Sequence, residues 1–408
     1  MILEKTFFYN KLHTTIQLDD DTMQKVSDFF EIKQIPSSES FNLENMKNKE
    51  PIRNEILLLR SYTVETARNG KPFLKIEFNN SSGVVVGRMF DNNNSVELTI
   101  PMLEAERVFY VEGSVNEYQG KNSINIDRLS VCREAINPTT LLPATELSVQ
   151  ELLWEMFAYM DALQEPHRTI ALKGLQIYWK EFSMKPAAKG HHHAYLHGLL
   201  KHTIGLMRIA KYITEEAKNP YEGIYHLTEI AEAQHKEALK QRLQEGSTSR
   251  YTYMPWAGSF DHVYEMVANL IEMDEMELDK DLIIAGIFYH DLGKIFEYTH
   301  IGEISNKYDW LYPTLKATKT PIKGGIDMDP LGKYMGHMAT GIMLLKDTVE
   351  KQNIQVSLED IVKYNHCILA HHGRLEWGTN IKPMIPEAII MHLADFFDSR
   401  WEKDDPVN

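Results

Sequence analysis

The hydrophobic period of this 408-residue chain changes once along its length, and that change constrains the fold more than any single motif. Between residues 51 and 133 the apolar residues come in short runs rich in β-branched and aromatic side chains: EILLLRSYTVETA, KPFLKIEFNN, GVVVGRMF, RVFYVEGSVNEY and NSINIDRLSVC. Asn69-Gly70, Asn79-Asn80, Gly83 and Gly120 punctuate them, which is the texture of strands joined by turns. A weaker segment, SVELTIPMLEAE, separates the third strand from the fourth, and five strands with a break there predict a small Greek-key barrel of the OB type. From Val149 onward apolar residues recur at i, i+3, i+4, the period of buried helix faces. INPTTLLPATEL, with two prolines, reads as the linker between the two textures. The expected organisation is therefore multi-domain. An N-terminal extension and linker cover 1–50, a barrel 51–134, a linker 135–148 and an all-α domain 149–408, with polar insertions near 218–258 and 300–332. Within the first 50 residues DDDTMQKVSDFFEIKQ predicts a short amphipathic helix, with Asp19–Asp21 at its start, where carboxylates are favoured.

The helical half carries the chemistry. His202 falls mid-helix in GLLKHT, His290 and Asp291 near a helix end in IFYHDLGK, and His337 at a helix start in YMGHMATG. His371 and His372 close a helix in ILAHHG, and Asp395 lies in HLADFF. A lone histidine on an apolar face is ordinarily a satisfied core residue. Five helices that each turn a His or Asp inward, where an unpaired polar group is costly, point instead to a metal site. Imidazole and carboxylate are the ligand set of divalent first-row metals, and a helical bundle can gather them in its core. Neutral imidazoles and two aspartates carry a charge of −2, so one divalent cation gives neutrality and two give a positive centre suited to phosphate-ester hydrolysis. The expected cofactors are two divalent ions, Mn²⁺ first, with Fe²⁺ or Co²⁺ compatible with the same donors. Lys294, three residues beyond Asp291 and on its helix face, could hold a phosphate oxygen.

Composition narrows the partners. Forty-three Lys+Arg against 58 Asp+Glu give 43 − 58 = −15, which argues against a broad basic surface for duplex DNA while allowing a local basic groove. Cys132 and Cys367 form no CxxC spacing and read as buried thiols of a reducing compartment. No apolar run approaches the roughly 20 residues that span a bilayer. The first residues lack the apolar core and cleavage site of a signal peptide. A cytoplasmic protein without a membrane partner is the expectation.

His202, the doublet His290-Asp291 and Asp395 resemble the H…HD…D pattern of HD-domain phosphohydrolases, and His337, His371 and His372 resemble the extra ligands of its two-metal branch. The wording is closer still to the YhaM-type 3′→5′ exoribonuclease family. FSMKPAAKGHHHAYLHGLLKHT, AGIFYHDLGKIFEYT, LGKYMGHMATGIMLL, ILAHHGRLEWG and PEAIIMHLADFFDSR carry the resemblance, with KPFLKIEFNNSSGVVVGRMF and VFYVEGSVNEYQGKNSINI in the barrel. It implies an OB domain ahead of an HD domain. It also implies a homo-oligomeric, metal-dependent phosphodiesterase that removes nucleoside monophosphates from the 3′ end of single-stranded RNA or DNA. Asp291 would contact both metals. In the run His191–His193 the resemblance aligns His192 and His193 with the family's own pair, as candidate contacts to the scissile phosphate. His197 has no counterpart and is expected at the surface, and Asp398 either behind Asp395 or on the helix surface.

OB domains bind single strands by stacking bases beside basic side chains. The candidates are Tyr118, Phe73, Phe78 and Phe90 for stacking, although strand alternation must also fill the barrel, and Lys71, Arg88 and Lys121 for phosphates. The chain departs from the family at His197-Gly198, at Asn80-Ser81-Ser82-Gly83 and at Ser123, positions that bear on nucleic-acid affinity rather than on the metal ligands. Two other functions fit the same residues: an HD phosphohydrolase of cyclic or small (oligo)nucleotides, and a non-catalytic nucleic-acid-binding or assembly protein. The irregular stretch 300–332, tethered between His290-Asp291 and His337 and carrying Tyr308, Trp310 and Tyr312, is expected to lie over or beside the cavity as a lid, the alternative being a surface excursion that packs on a neighbouring subunit.

Overall fold

The computed structural model describes residues 1–35, 41–118, 121–188, 193–244, 258–273, 276–316, 318–322 and 324–401. His191, His192 and the turn at Gly120 lie outside the described residues.

The first 35 residues correct the expectation of an extension. Strands β1 (Ile2–Phe7) and β2 (Leu12–Gln17) form an antiparallel hairpin, followed by helix α1 (Asp20–Phe29). Asp19 caps α1 by accepting from the Thr22 amide at 2.7 Å, so the acidic triplet is a helix start. Leu12 and Ile16 on one face of β2, together with Phe7, Phe8, Val26 and Phe30, are buried in the same core as the C-terminal helices. Phe8 meets Phe397 edge-on with ring centroids 5.6 Å apart, and the Trp179 indole donates to the Glu31 carbonyl at 2.9 Å. Strands of six residues are too short to announce themselves by periodicity, and their burial comes from helices more than a hundred residues away.

The barrel closes as expected. β3 (Pro51–Thr66), β4 (Pro72–Asn80), β5 (Gly83–Phe90), β6 (Val108–Tyr118) and β7 (Lys121–Val131) pair in the order β3-β4-β5-β7-β6, with β6 returning to β3 and only β5–β7 parallel. That order is consistent with an OB-like fold. The segment between the third and fourth barrel strands is a helix, α2 (Ser95–Ala105), which buries Val96, Thr99 and Leu103 against a barrel core that includes Leu74, Ile76, Phe78 and Phe109.

The remaining helices are α3 (Val149–Asp161), α4 (His167–Phe182), α5 (Gly198–Lys211), α6 (Pro220–Gln244), α7 (Ser259–Glu272), α8 (Lys280–His290), α9 (Lys294–Glu297), α10 (Gly332–Lys351), α11 (Leu358–Ala370) and α12 (Pro386–Trp401). α8 is buried along its whole face from Leu282 to His290, as a helix apolar all round must be. α5 is held to α3 by a buried fork, Arg208 Nε and Nη2 donating to the two Glu155 oxygens at 2.6 and 2.7 Å. Gly205 lets α5 and α12 approach, since a Cβ there would lie 1.9 Å from Asp398 Oδ1.

None of the described residues of the stretch 300–332 is among those lining the cavity beside the histidines. Ile301 and Ile326 pack with Leu58 of the barrel, Leu142 of the linker and Leu196, filling the seam between barrel and helices. Tyr308 is buried beside Phe296, with Trp310 edge-on to the same ring, so the expected lid is a wedge. Apolar residues at both ends of the stretch outweigh its polar middle.

Candidate metal centre

Five helix segments bring the expected ligands together. α5 supplies His202 and the end of α8 supplies His290, with Asp291 as its C-cap. α10 supplies His337 just past a break at Gly336 (φ +70°), the end of α11 supplies His371 and His372, and α12 supplies Asp395. Gly293 permits this convergence, because a Cβ there would meet the His337 carbonyl at 2.0 Å.

Asp291 stands between two groups. Its Oδ2 lies 3.4 Å from Nε2 of His202 and 3.4 Å from Nε2 of His290, while its Oδ1 lies 3.4 Å from Nε2 of His337 and 3.8 Å from Nε2 of His371. Asp395 Oδ1 is 3.2 Å from His202 Nε2, and His372 joins His337 and His371 in a cluster whose ligand atoms lie within 4.8 Å of one another. Two donors each about 2.0–2.2 Å from a first-row cation stand about 3–3.5 Å apart at the angles such ions adopt. The donor set and spacing therefore fit divalent cations on either side of Asp291.

The other ring nitrogens are already committed. Nδ1 of His202 is 2.6 Å from Asp398 Oδ2, Nδ1 of His290 is 2.6 Å from the Ile287 carbonyl, Nδ1 of His371 is 2.7 Å from the Ile368 carbonyl, and Nδ1 of His337 is 2.6 Å from Glu297 Oε2. Each acceptor fixes the proton on Nδ1 and leaves the Nε2 lone pair for the centre. Nε2 of His290, Nε2 of His337 and Oδ1 of Asp291 are buried without a hydrogen-bond partner among the described residues. Buried polar atoms are nearly always paired, so such a concentration at one point suits a cation.

Burial works against charge on His202, yet its bonds to Asp291, Asp395 and Asp398 hold its pKa well above the usual imidazole value, so a cation at Nε2 would have to displace a proton there. Burial would raise the Asp291 carboxyl, but Lys294 and His290 keep it well below the ordinary range. Burial, with His372 and His290 nearby, holds His371 well below the usual value, in the neutral form a ligand needs. Lys294 is no solvated lysine: it is buried and its Nζ lies 2.5 Å from Asp291 Oδ2. A cavity of ≈ 180 Å³ opens from Asp291, Lys294 and Asp395 toward Trp377 and Arg400.

Several expectations change. His193 lies behind the cavity: it is fully buried, with Nε2 3.0 Å from Asp398 and Nδ1 2.7 Å from the Tyr195 hydroxyl, so it orients Asp398 and His202 and cannot face a phosphate. His192 lies outside the described residues. His197 is buried, not at the surface, with Nδ1 2.6 Å from the Ser183 carbonyl. Asp398 is buried between His193 and His202. Phe78 belongs to the barrel interior, whereas Phe73 is on the outer face of β4, covered by its neighbours, and Phe90 and Tyr118 are 51% and 61% exposed. Phe73 lies beside Phe90 across the β4–β5 pair, ring centroids 5.3 Å apart. Lys71 is exposed at the β3–β4 turn, and Lys121 is exposed and pairs opposite Tyr118 at the β6–β7 end. Arg88 is tied across the barrel, Nη1 donating to Ser123 Oγ at 2.7 Å.

Sequence reasoning missed a chain of imidazoles behind His371. Arg374 Nε donates to His262 Nδ1 at 2.9 Å, Nε2 of His262 and Nε2 of His392 lie 2.7 Å apart, and His392 Nδ1 lies 2.6 Å from the His371 carbonyl. Burial pushes His262 down to about 3 and His392 down to about 4, so both rings are neutral. Arg374 and His392 stand inside HHGRLEWG and HLADFF, whose neighbouring ligands drew the attention. His262 has no such signal.

Comparison with known proteins gives the same direction. The HD-domain family model matches residues 259–400, a span that begins after His202. The 3′-5′ exoribonuclease YhaM of Geobacillus sp. (strain WCH70) is 25% identical over 353 residues, covering 86% of this chain and 82% of that protein. YhaM of Bacillus subtilis (strain 168) is 24% identical over 355 residues, 86% of each chain, and YhaM of Listeria welshimeri is 23% identical over 356 residues, again 86% of each. The chain resembles YhaM-type exoribonucleases along most of its length. No solved structure matches significantly. No helix among the described residues is long and apolar enough to cross a membrane.

Proposed function

We propose that this chain is a metal-dependent phosphodiesterase that shortens single-stranded RNA stepwise from the 3′ end and releases nucleoside monophosphates. The observation that carries the reading is Asp291, whose two oxygens face two separate imidazole groups. His202, His290 and Asp395 with Asp291 Oδ2 would hold one cation, and His337, His371 and His372 with Asp291 Oδ1 the other, Mn²⁺ being our choice for both. A bound pair would activate water at neutral pH and offset charge on the attacking and leaving oxygens. The protein's own residues do the rest. Asp398, Glu297 and the Ile287 and Ile368 carbonyls fix the ring tautomers. Lys294, held by Asp291, places a positive charge at the cavity wall to meet a phosphoryl oxygen. On the barrel, Phe90 and Tyr118 offer stacking faces beside Lys71 and Lys121, where an OB-like barrel binds a strand.

A 5′-labelled single-stranded RNA incubated with Mn²⁺ tests this. The expected product pattern is a ladder that shortens one nucleotide at a time from the 3′ end, with RNA and DNA compared side by side. Turnover of cyclic or dinucleotides alone, with the long strand intact, would replace this function with that of a small-nucleotide phosphohydrolase. Binding without cleavage of any substrate would make the chain a non-catalytic binding protein.

A further inference from the structure

We propose that Arg400 forms a second-phosphate subsite beside the metal centre, binding a phosphate of the substrate other than the one at Asp291; the proposal rests on the nuclease reading above. The cavity runs from Asp291 and Lys294 to Trp377, Ser399 and Arg400. Two guanidinium groups flank the Trp377 ring, each with Cζ 5.1 Å from its centroid. That of Arg374 is neutralised, because Nη2 donates to Glu265 Oε2 at 2.9 Å. That of Arg400 is half-buried over Phe396, its Cζ 4.4 Å from the ring, and among the described residues no carboxylate forms an ion pair with it. A cation drawn partly out of water without a paired carboxylate is costly, and stacking on aromatic faces and the attraction of Asp395 recover only part of that cost, so burial still holds its pKa below the ordinary guanidinium value. An anion entering the cavity supplies the missing charge.

Phosphate is the anion the position favours. A guanidinium binds a phosphate through two parallel N–H bonds, and it stays charged at every working pH. Lys294 is already engaged by Asp291 at 2.5 Å and serves the phosphate beside the ligands. Arg400 stands five residues past Asp395 on α12, its backbone about 7.5 Å farther along the helix axis, which offsets it from the ligands toward a neighbouring phosphate. The Ser399 hydroxyl, held by a long 3.4 Å bond to the Phe396 carbonyl, can turn to the same oxygen. A substrate with a second phosphate therefore gains a contact that a simple diester lacks. The second phosphate could stand on the 5′ or the 3′ side of the bond that is cut, and the experiment separates the two.

The test uses the full chain and three ligands: diadenylate, 5′-phosphorylated diadenylate and 3′-phosphorylated diadenylate. With metals removed, calorimetric titration should show that wild type binds one phosphorylated form at least ten-fold more tightly than plain diadenylate, and the favoured form gives the side. Arg400→Gln should erase that preference, and Arg400→Lys should restore part of it. With Mn²⁺ present, Arg400→Gln should raise KM for the favoured ligand by a similar factor and leave turnover of bis-p-nitrophenyl phosphate unchanged. No preference in wild type, or the same preference in Arg400→Gln, overturns the proposal. A loss on all substrates alike, including the simple diester, assigns Arg400 a structural role and also overturns it. Failure of wild type to cleave any substrate would remove the nuclease reading, while the titrations still decide the subsite.

Discussion

Asp398 touches neither expected cation position, yet it governs both neighbours that matter: it lies 2.6 Å from His202 Nδ1 and 3.0 Å from His193 Nε2. Replacing it with Asn weakens the hold on the His202 tautomer and should cost about 10–100-fold in metal affinity or activity, as removal of such outer partners does. Metal titration of Asp398→Asn beside wild type checks this, and unchanged affinity would show that His202 is oriented without it. Gly205→Ala should give a similar loss, since its Cβ would displace the same carboxylate. The ligands themselves were legible because each interrupts an apolar helix face, a local signal. Asp398 and His193 were visible as residues but not in their roles, because their contact joins positions 205 residues apart. His262, which meets His392 across 130 residues, left no local trace.

At the scale of elements, the wedge 300–332 depends on a buried ion pair. Lys185 Nζ donates to Glu303 Oε2 at 2.6 Å and to the Tyr298 carbonyl at 2.7 Å, while Lys307 Nζ reaches Glu303 Oε1 at 2.8 Å. Burial brings Lys185 down to about 8, whereas Lys185 and its neighbours overcome burial to bring Glu303 down to about 2. The charged pair therefore persists from about pH 2 to about pH 8. A lowered carboxyl pKa stabilises the fold fully above the ordinary carboxylate range, and that contribution is lost as pH falls through it toward 2. Thermal melting between pH 6 and pH 3 should therefore fall more steeply in wild type than in Glu303→Gln. The same variant should be about 3–5 kcal/mol less stable at pH 7, because it leaves a buried lysine unpaired. Parallel acid limbs would show that the pair contributes nothing there. The barrel strands and the long helices followed from their periods. The hairpin and the wedge did not, because short elements are defined by what they pack against.

For the whole molecule, the chain is threaded so that residues 1–35 complete the helical core and the barrel hangs between them and α3. A chain beginning near Thr145 would keep every expected metal ligand but lose Phe7, Phe8 and Phe30 from that core. Truncating one buried Phe costs about 3–5 kcal/mol, so losing three should leave this fragment unfolded or aggregated. Gln34 offers a better cut: its side chain accepts from the Val149 amide at 2.8 Å, so residue 35 already lies beside the start of the helices. Joining residue 35 to Thr145 through a short Gly/Ser linker removes the barrel with its flanking linkers and keeps the core that residues 1–35 complete. That chain should stay helical and hydrolyse bis-p-nitrophenyl phosphate while losing most activity on long single strands. Equal loss on both substrates would give the barrel a structural role. Asp291 is expected to join two cation positions, and the metal equivalents bound per chain after dialysis against Mn²⁺ measure that. The prediction is two equivalents in wild type, and one or none in Asp291→Asn, with its helical circular dichroism unchanged and its hydrolysis abolished. Two equivalents and full hydrolysis in Asp291→Asn would contradict it.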